Sequence, residues 1–69
     1  MKVRAGRTYL FHPVPMDRFD PKSTATHGQR VKVVKLPGCP PPNTMGHCHI
    51  ATEQDVFLGL VHCNSLVPA

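Results

Sequence analysis

Gln29-Arg30-Val31-Lys32-Val33-Val34-Lys35-Leu36 is the stretch that decides the fold. Polar and β-branched residues alternate over its first half, so Val31 and Val33 point to one side while Arg30 and Lys32 point to the other, as in a half-buried strand. Pro37-Gly38 stops it. Upstream, Val3, Tyr9, Leu10 and Phe11 make residues 2–11 a β-leaning segment that ends at His12-Pro13-Val14-Pro15. The stretch from there to Gly28 reads as a long loop punctuated by Pro13, Pro15 and Pro21, with Met16 and Phe19 available to pin it onto the core. Downstream, Cys39-Pro40-Pro41-Pro42-Asn43-Thr44-Met45-Gly46 is a connector that three consecutive prolines stiffen. Residues 47–52 read as a third strand, Glu53-Gln54-Asp55 as a tight turn and residues 56–61 as a fourth strand. After a break at His62-Cys63-Asn64-Ser65, Leu66-Val67-Pro68 forms a short last strand with its proline at the end, where no ladder bond is lost.

The chain has 69 residues, enough for one small domain over 1–69. Hydrophobic residues make up 41% and charged residues 17%, too apolar and too weakly charged for a disordered tail. Eight prolines and five glycines argue against helical bundles and coiled coils, because proline lacks an N–H and clashes with the preceding turn. Five short strands in a chain too small for a sandwich are best satisfied by a sheet curled on itself. The expectation is all-β: a small five-stranded barrel with a long first loop. Gly59, inside the apolar fourth strand, marks a sharp bend or a close backbone approach.

That order of elements resembles the SH3-like small barrels. The resemblance rests on Gly28-Gln29-Arg30-Val31-Lys32-Val33-Val34 and on Phe57-Leu58-Gly59-Leu60-Val61-His62-Cys63-Asn64-Ser65-Leu66-Val67-Pro68. It implies a short 3₁₀ turn, often containing Asn or Ser, before an aliphatic last strand. The peptide-binding branch of that superfamily carries an Ala-Leu-Tyr-Asp-Tyr type first strand and a paired tryptophan. Here Tyr9-Leu10-Phe11 and His47-Cys48 stand in those regions, which argues against proline-peptide recognition by an aromatic groove. The stretch from Gly28 to Val34 is more similar to KOW and related barrels of translation and transcription proteins.

All eight lysines and arginines fall within residues 1–35, with Asp17 and Asp20, leaving that segment at +6 and the remainder, with Glu53 and Asp55, at −2. Such asymmetry attracts phosphates, acidic proteins or anionic lipids, or else is the ordinary solvation of an exposed sheet face. Cys39, Cys48 and Cys63 are an odd number and the N-terminus shows no apolar signal segment, so a soluble, cytoplasmic protein is expected rather than a secreted disulfide scaffold. The longest apolar run, residues 56–61, is far below the roughly 20 residues that span a bilayer, so no membrane partner is expected.

Arg4, Arg7, Arg30, Lys32 and Lys35 are the candidate phosphate contacts, and Tyr9 or Phe11 the candidate stacking ring. The stiff loop offers Asn43, Thr44, Met45 and His47 as a preorganised edge. His47, His49, His62 and Cys48 are the candidate metal ligands, but no Cys-x₂-Cys pair is present, and a strand turns Cys48 away from its flanking histidines. No metal or cofactor is therefore expected. No hydrolase elbow, paired carboxylates or phosphate-cradling glycine loop points to an enzyme. The expected function is a non-enzymatic binding module that engages nucleic acid or a nucleoprotein complex through a basic sheet face. Two alternatives stand beside it. One is a protein-interaction module, self-association included, that uses the loop 39–46 and strand edges. The other is a zinc-stabilised structural domain.

Overall fold

The computed structural model describes residues 3–38, 41–43 and 45–69. Among these the chain forms β1 (Thr8–Phe11), α1 (Pro15–Phe19), β2 (Lys22–Ser23), β3 (Arg30–Val34), β4 (His47–Ala51), β5 (Phe57–His62), a 3₁₀ turn (Cys63–Ser65) and β6 (Leu66–Pro68). The strands make one antiparallel sheet of order β2-β5-β4-β3-β1-β6. No helix among the described residues is long and apolar enough to cross a membrane.

Alternation builds the core from one face of this sheet. Tyr9 pairs with Val31, Val33 with Ile50 and Cys48 with Val61, and all of these side chains are buried. Phe11 and Leu66 extend the cluster onto β6, while Ala25, Leu58 and Cys63 pack against its rim. Burying an aliphatic side chain the size of Ile50 contributes roughly 1.5–3 kcal/mol, which makes this face the main source of stability. The opposite face carries Thr8, Arg30, Lys32, Val34, His49 and Leu60, in register from strand to strand.

The first long loop is more structured than its composition predicts, and the strand count is six rather than five. Pro15 opens α1 because its missing N–H lies where a helix has no partner to offer it, and its φ already suits a helix. Pro21 ends the segment, since the residue before a proline is driven out of the helical region; Asp20 has φ −138° and ψ 69°. The chain then lays Lys22 and Ser23 against Leu60 and Gly59 as β2. Gly59 makes that approach possible. Its φ is +123°, and a Cβ there would run into the Lys22 carbonyl oxygen and come within 2.8 Å of Ser23 Cα.

Met16 and Phe19 do not pin the loop, contrary to expectation: both are exposed, Phe19 by 88%. The anchor is polar instead. Asp17 Oδ2 accepts the His62 backbone N–H at 3.0 Å and the hydroxyl of Ser65, while Ser65 Oγ accepts the Val14 N–H at 3.0 Å. The His12 N–H reaches the Ser65 carbonyl at 2.7 Å. Ser65 is fully buried with its hydrogen bonds made, so α1 is tied to the 3₁₀ turn by a carboxylate rather than by apolar packing.

Candidate functional site

The outward face of β3 and β4 gathers the charged and aromatic groups. Lys32 lies directly between Thr8 of β1 and Ala51 of β4, and Ala51 in turn pairs with Phe57 of β5. One row across the sheet therefore reads Thr8, Lys32, Ala51, Phe57. The next row reads Val34, His49, Leu60. His49 and Phe57 meet across these rows with ring centroids 6.0 Å apart and planes 28° from parallel. Phe57 is 57% exposed, so part of its ring faces solvent.

The β4–β5 turn holds its own shape and brings two carboxylates to this face. Thr52 Oγ1 accepts N–H bonds from Gln54 at 3.2 Å and Val56 at 3.1 Å, and Asp55 takes the left-handed φ of 66°. Glu53 then lies 3.5 Å from Arg30, and Asp55 pairs with Lys32. Asp20 pairs with Lys22 at 3.3 Å, and Asp17 is held by Ser65 and His62. All four acidic side chains of the chain are thus engaged.

The predicted cations fall into two neighbouring groups. Arg30 and Lys32 share the outward face of β3. Arg4, Arg7 and Lys35 are exposed at the far end of the same strand, where the Gly6 N–H bonds the Val33 carbonyl at 2.8 Å and the Val33 N–H bonds the Arg7 carbonyl at 3.1 Å. Among the described residues, Arg4, Arg7 and Lys35 have no carboxylate within ion-pair distance. From Arg30 to Lys35, just past the end of β3, the chain runs about 17 Å at a strand's rise per residue.

Two expectations about aromatic groups are corrected. Tyr9 is only 6% exposed and Phe11 is buried beside it, because both sit on the core face of β1; neither ring can stack on a ligand. The Tyr9 hydroxyl instead accepts the Arg4 N–H at 2.9 Å, which fixes the basic turn to β1. The ring exposed beside His49 on the outward face is Phe57. Its place next to a turn was legible, but which face it took depended on the irregular register after Ile50.

The loop residues divide as well. Asn43 uses its side-chain oxygen to accept N–H bonds from Met45 at 2.9 Å and His47 at 3.0 Å, so it shapes the turn rather than reaching outward. Met45 is exposed and His47 half-buried. Thr44, together with Cys39 and Pro40, lies outside the described residues.

Of the candidate metal ligands, His47 and His62 are directly opposite across β4 and β5, with ring centroids 5.4 Å apart. His62 Nδ1 accepts the Asn64 N–H at 3.2 Å, which leaves Nε2 to carry the proton in the neutral ring. His49 stands apart on Phe57. Cys48 points into the core, where burial and the nearby Cys63 push its thiol up to about 11 and keep it protonated. The four do not converge, and among the described residues no three His, Cys, Asp or Glu side chains form a metal-binding group. One pair was missed in the sequence: His12 and His27 meet with Nδ1 and Nε2 3.2 Å apart, closing the base of the first loop. They are fifteen residues apart, and only the folded loop brings them together.

Comparison with known proteins finds no matching family model, no matching curated protein and no matching solved structure.

Proposed function

We propose that this chain is a non-enzymatic binding module of the SH3-like barrel type that takes nucleic acid, free or within a nucleoprotein complex, along β3. The chain order supports the barrel reading: a first strand, a long loop, a three-strand meander, a 3₁₀ turn and a last strand returning to β1. The observation that carries the functional reading is the pair Arg30 and Lys32 on the outward face of β3, with Arg4, Arg7 and Lys35 exposed near the end of that strand, in a chain whose acidic side chains are all engaged already. The Arg30–Glu53 pair is solvent-exposed, and such pairs are worth about 0–1 kcal/mol; half-buried Lys32 bonds an exposed Asp55, so a phosphate can take the place of either carboxylate.

The test is a titration of fluorescent oligonucleotides followed by anisotropy at low and at physiological salt. Affinity falls steeply with salt, and Arg30→Ala with Lys32→Ala lowers the slope of log affinity against log salt by about two. Absence of binding at low salt overturns the proposal.

A polypeptide partner is the second reading, favoured by the exposure of Met16, Phe19 and Met45. The elements that carry them, α1 and the loop before β4, bond to adjacent residues: the His62 N–H to Asp17 and the Cys63 N–H to the Gly46 carbonyl at 2.8 Å. These large apolar groups left in water on two segments that bond to adjacent residues supply the contacts for such a partner. Sedimentation of the parent against Phe19→Ser tests its self-associating form. A concentration-dependent dimer that the substitution abolishes supports it, and an unchanged monomer removes it.

A further inference from the structure

Resting on the nucleic-acid reading above, we infer that the ligand is single-stranded and that one of its bases stacks on Phe57. A duplex hides the faces of its bases inside its own stack, whereas a single strand presents them, and every base has a π-face to offer. Phe57 is built to receive one. Its ring is backed by His49 at 6.0 Å and 28°, so it is held in orientation, while more than half of its surface remains in water. The core makes little use of a ring with that exposure, and Leu60 follows it on the same face of β5, beside His49.

The cations are placed to hold the adjoining backbone. Lys32 is two strands from Phe57 through Ala51, about 10 Å between backbones at ordinary strand spacing, and a lysine on a flexible four-carbon stem covers much of that distance. Arg30 lies two residues further along β3 on the same face. A base on Phe57 thus leaves its own or the next phosphate at Lys32, with the strand continuing along β3. Asp55 bonds Lys32 in the free protein and marks where that phosphate sits. Stacking without base-edge donors makes the site tolerant of sequence, and the same chemistry serves single-stranded DNA and RNA.

The experiment measures binding of a labelled single-stranded oligonucleotide and of its duplex to the parent, to Phe57→Ala and to Arg30→Ala with Lys32→Ala, at low salt. The inference expects tighter binding of the single strand, a roughly 5- to 150-fold loss for it in Phe57→Ala, and a change under about twofold for the duplex. The chain has no tryptophan, so Phe57→Trp places one reporter at the site. Its emission is quenched by the single strand and unaffected by the duplex. Equal binding of both forms, with Phe57→Ala neutral while the double cation variant weakens both, overturns the inference and leaves the nucleic-acid reading standing. Absence of binding to either form at low salt overturns both.

Discussion

Gly59→Ala tests the packing that converts the long first loop into part of the sheet. The native φ of +123° lies where residues with a Cβ are strained by about 1–3 kcal/mol. The new methyl also meets backbone: the Lys22 carbonyl and, at 2.8 Å, Ser23 Cα, neither of which can rotate away as a side chain would. Overpacking of that kind adds about 1–3 kcal/mol. A total near 2–6 kcal/mol is large for a domain of this size, whose whole stability is about 3–10 kcal/mol at typical values per residue. Each kcal/mol moves the midpoint of a domain this small by about 4–8 °C. Thermal unfolding followed by circular dichroism should therefore place Gly59→Ala at least roughly 10 °C below the parent. Gly28→Ala is the internal control: its φ is +84°, but a Cβ there has nothing within 4 Å, so it carries conformational strain of about 1–2 kcal/mol and no clash. Equal midpoints for the two variants would refute the close approach of β2 to β5.

Ser65→Ala removes a buried donor and acceptor from Asp17 and Val14; it should cost about 1–3 kcal/mol in urea unfolding and speed amide exchange at Val14 and His62. Phe19→Ser should shift stability by no more than about 0.5 kcal/mol in the same assay, since the ring is in water and α1 buries none of its residues. Native Cys48 should resist iodoacetamide at mildly alkaline pH while Cys63 reacts, and should label once urea unfolds the chain; peptide mapping by mass spectrometry reads both. The same thiol makes the fold sensitive to alkali. Its folded pKa lies above the ordinary 9.0, so the unfolded chain releases the proton first and stability falls as pH rises from about 9 to about 11, measurable by urea unfolding across that range.

The meander was legible because its signals are local. Alternation in Arg30–Val34, the turn residues after Thr52 and the break at His62 placed β3, β4 and β5 nearly where they are found, and Asn64 and Ser65 fall in the 3₁₀ turn that the resemblance implied. Gly59 in an apolar strand signals either a sharp bend or a close backbone approach, and the neighbour it meets is Lys22-Ser23 of β2. The first loop was not legible, because its order comes from across the chain. The bond of Ser65 to Asp17 spans 48 residues and β2 exists only against β5, so proline content alone described the segment as a plain loop. Polar anchoring also takes the place of Met16 and Phe19, which hydrophobicity made available to pin the loop onto the core. At the candidate site the cations of β3 followed from alternation. The aromatic partner did not: Tyr9 and Phe11 share the parity that faces inward, and Phe57 turned outward only through the shift after Ile50.

The most direct measurement is a two-dimensional NMR titration of the isotope-labelled chain with a short single-stranded oligonucleotide at low salt. The largest shift changes should fall on Arg30, Lys32, His49 and Phe57 and fade as salt is added, while Met16 and Phe19 stay in place. Changes confined to α1 and the loop before β4, or none anywhere on β3, would contradict the assignment of that face.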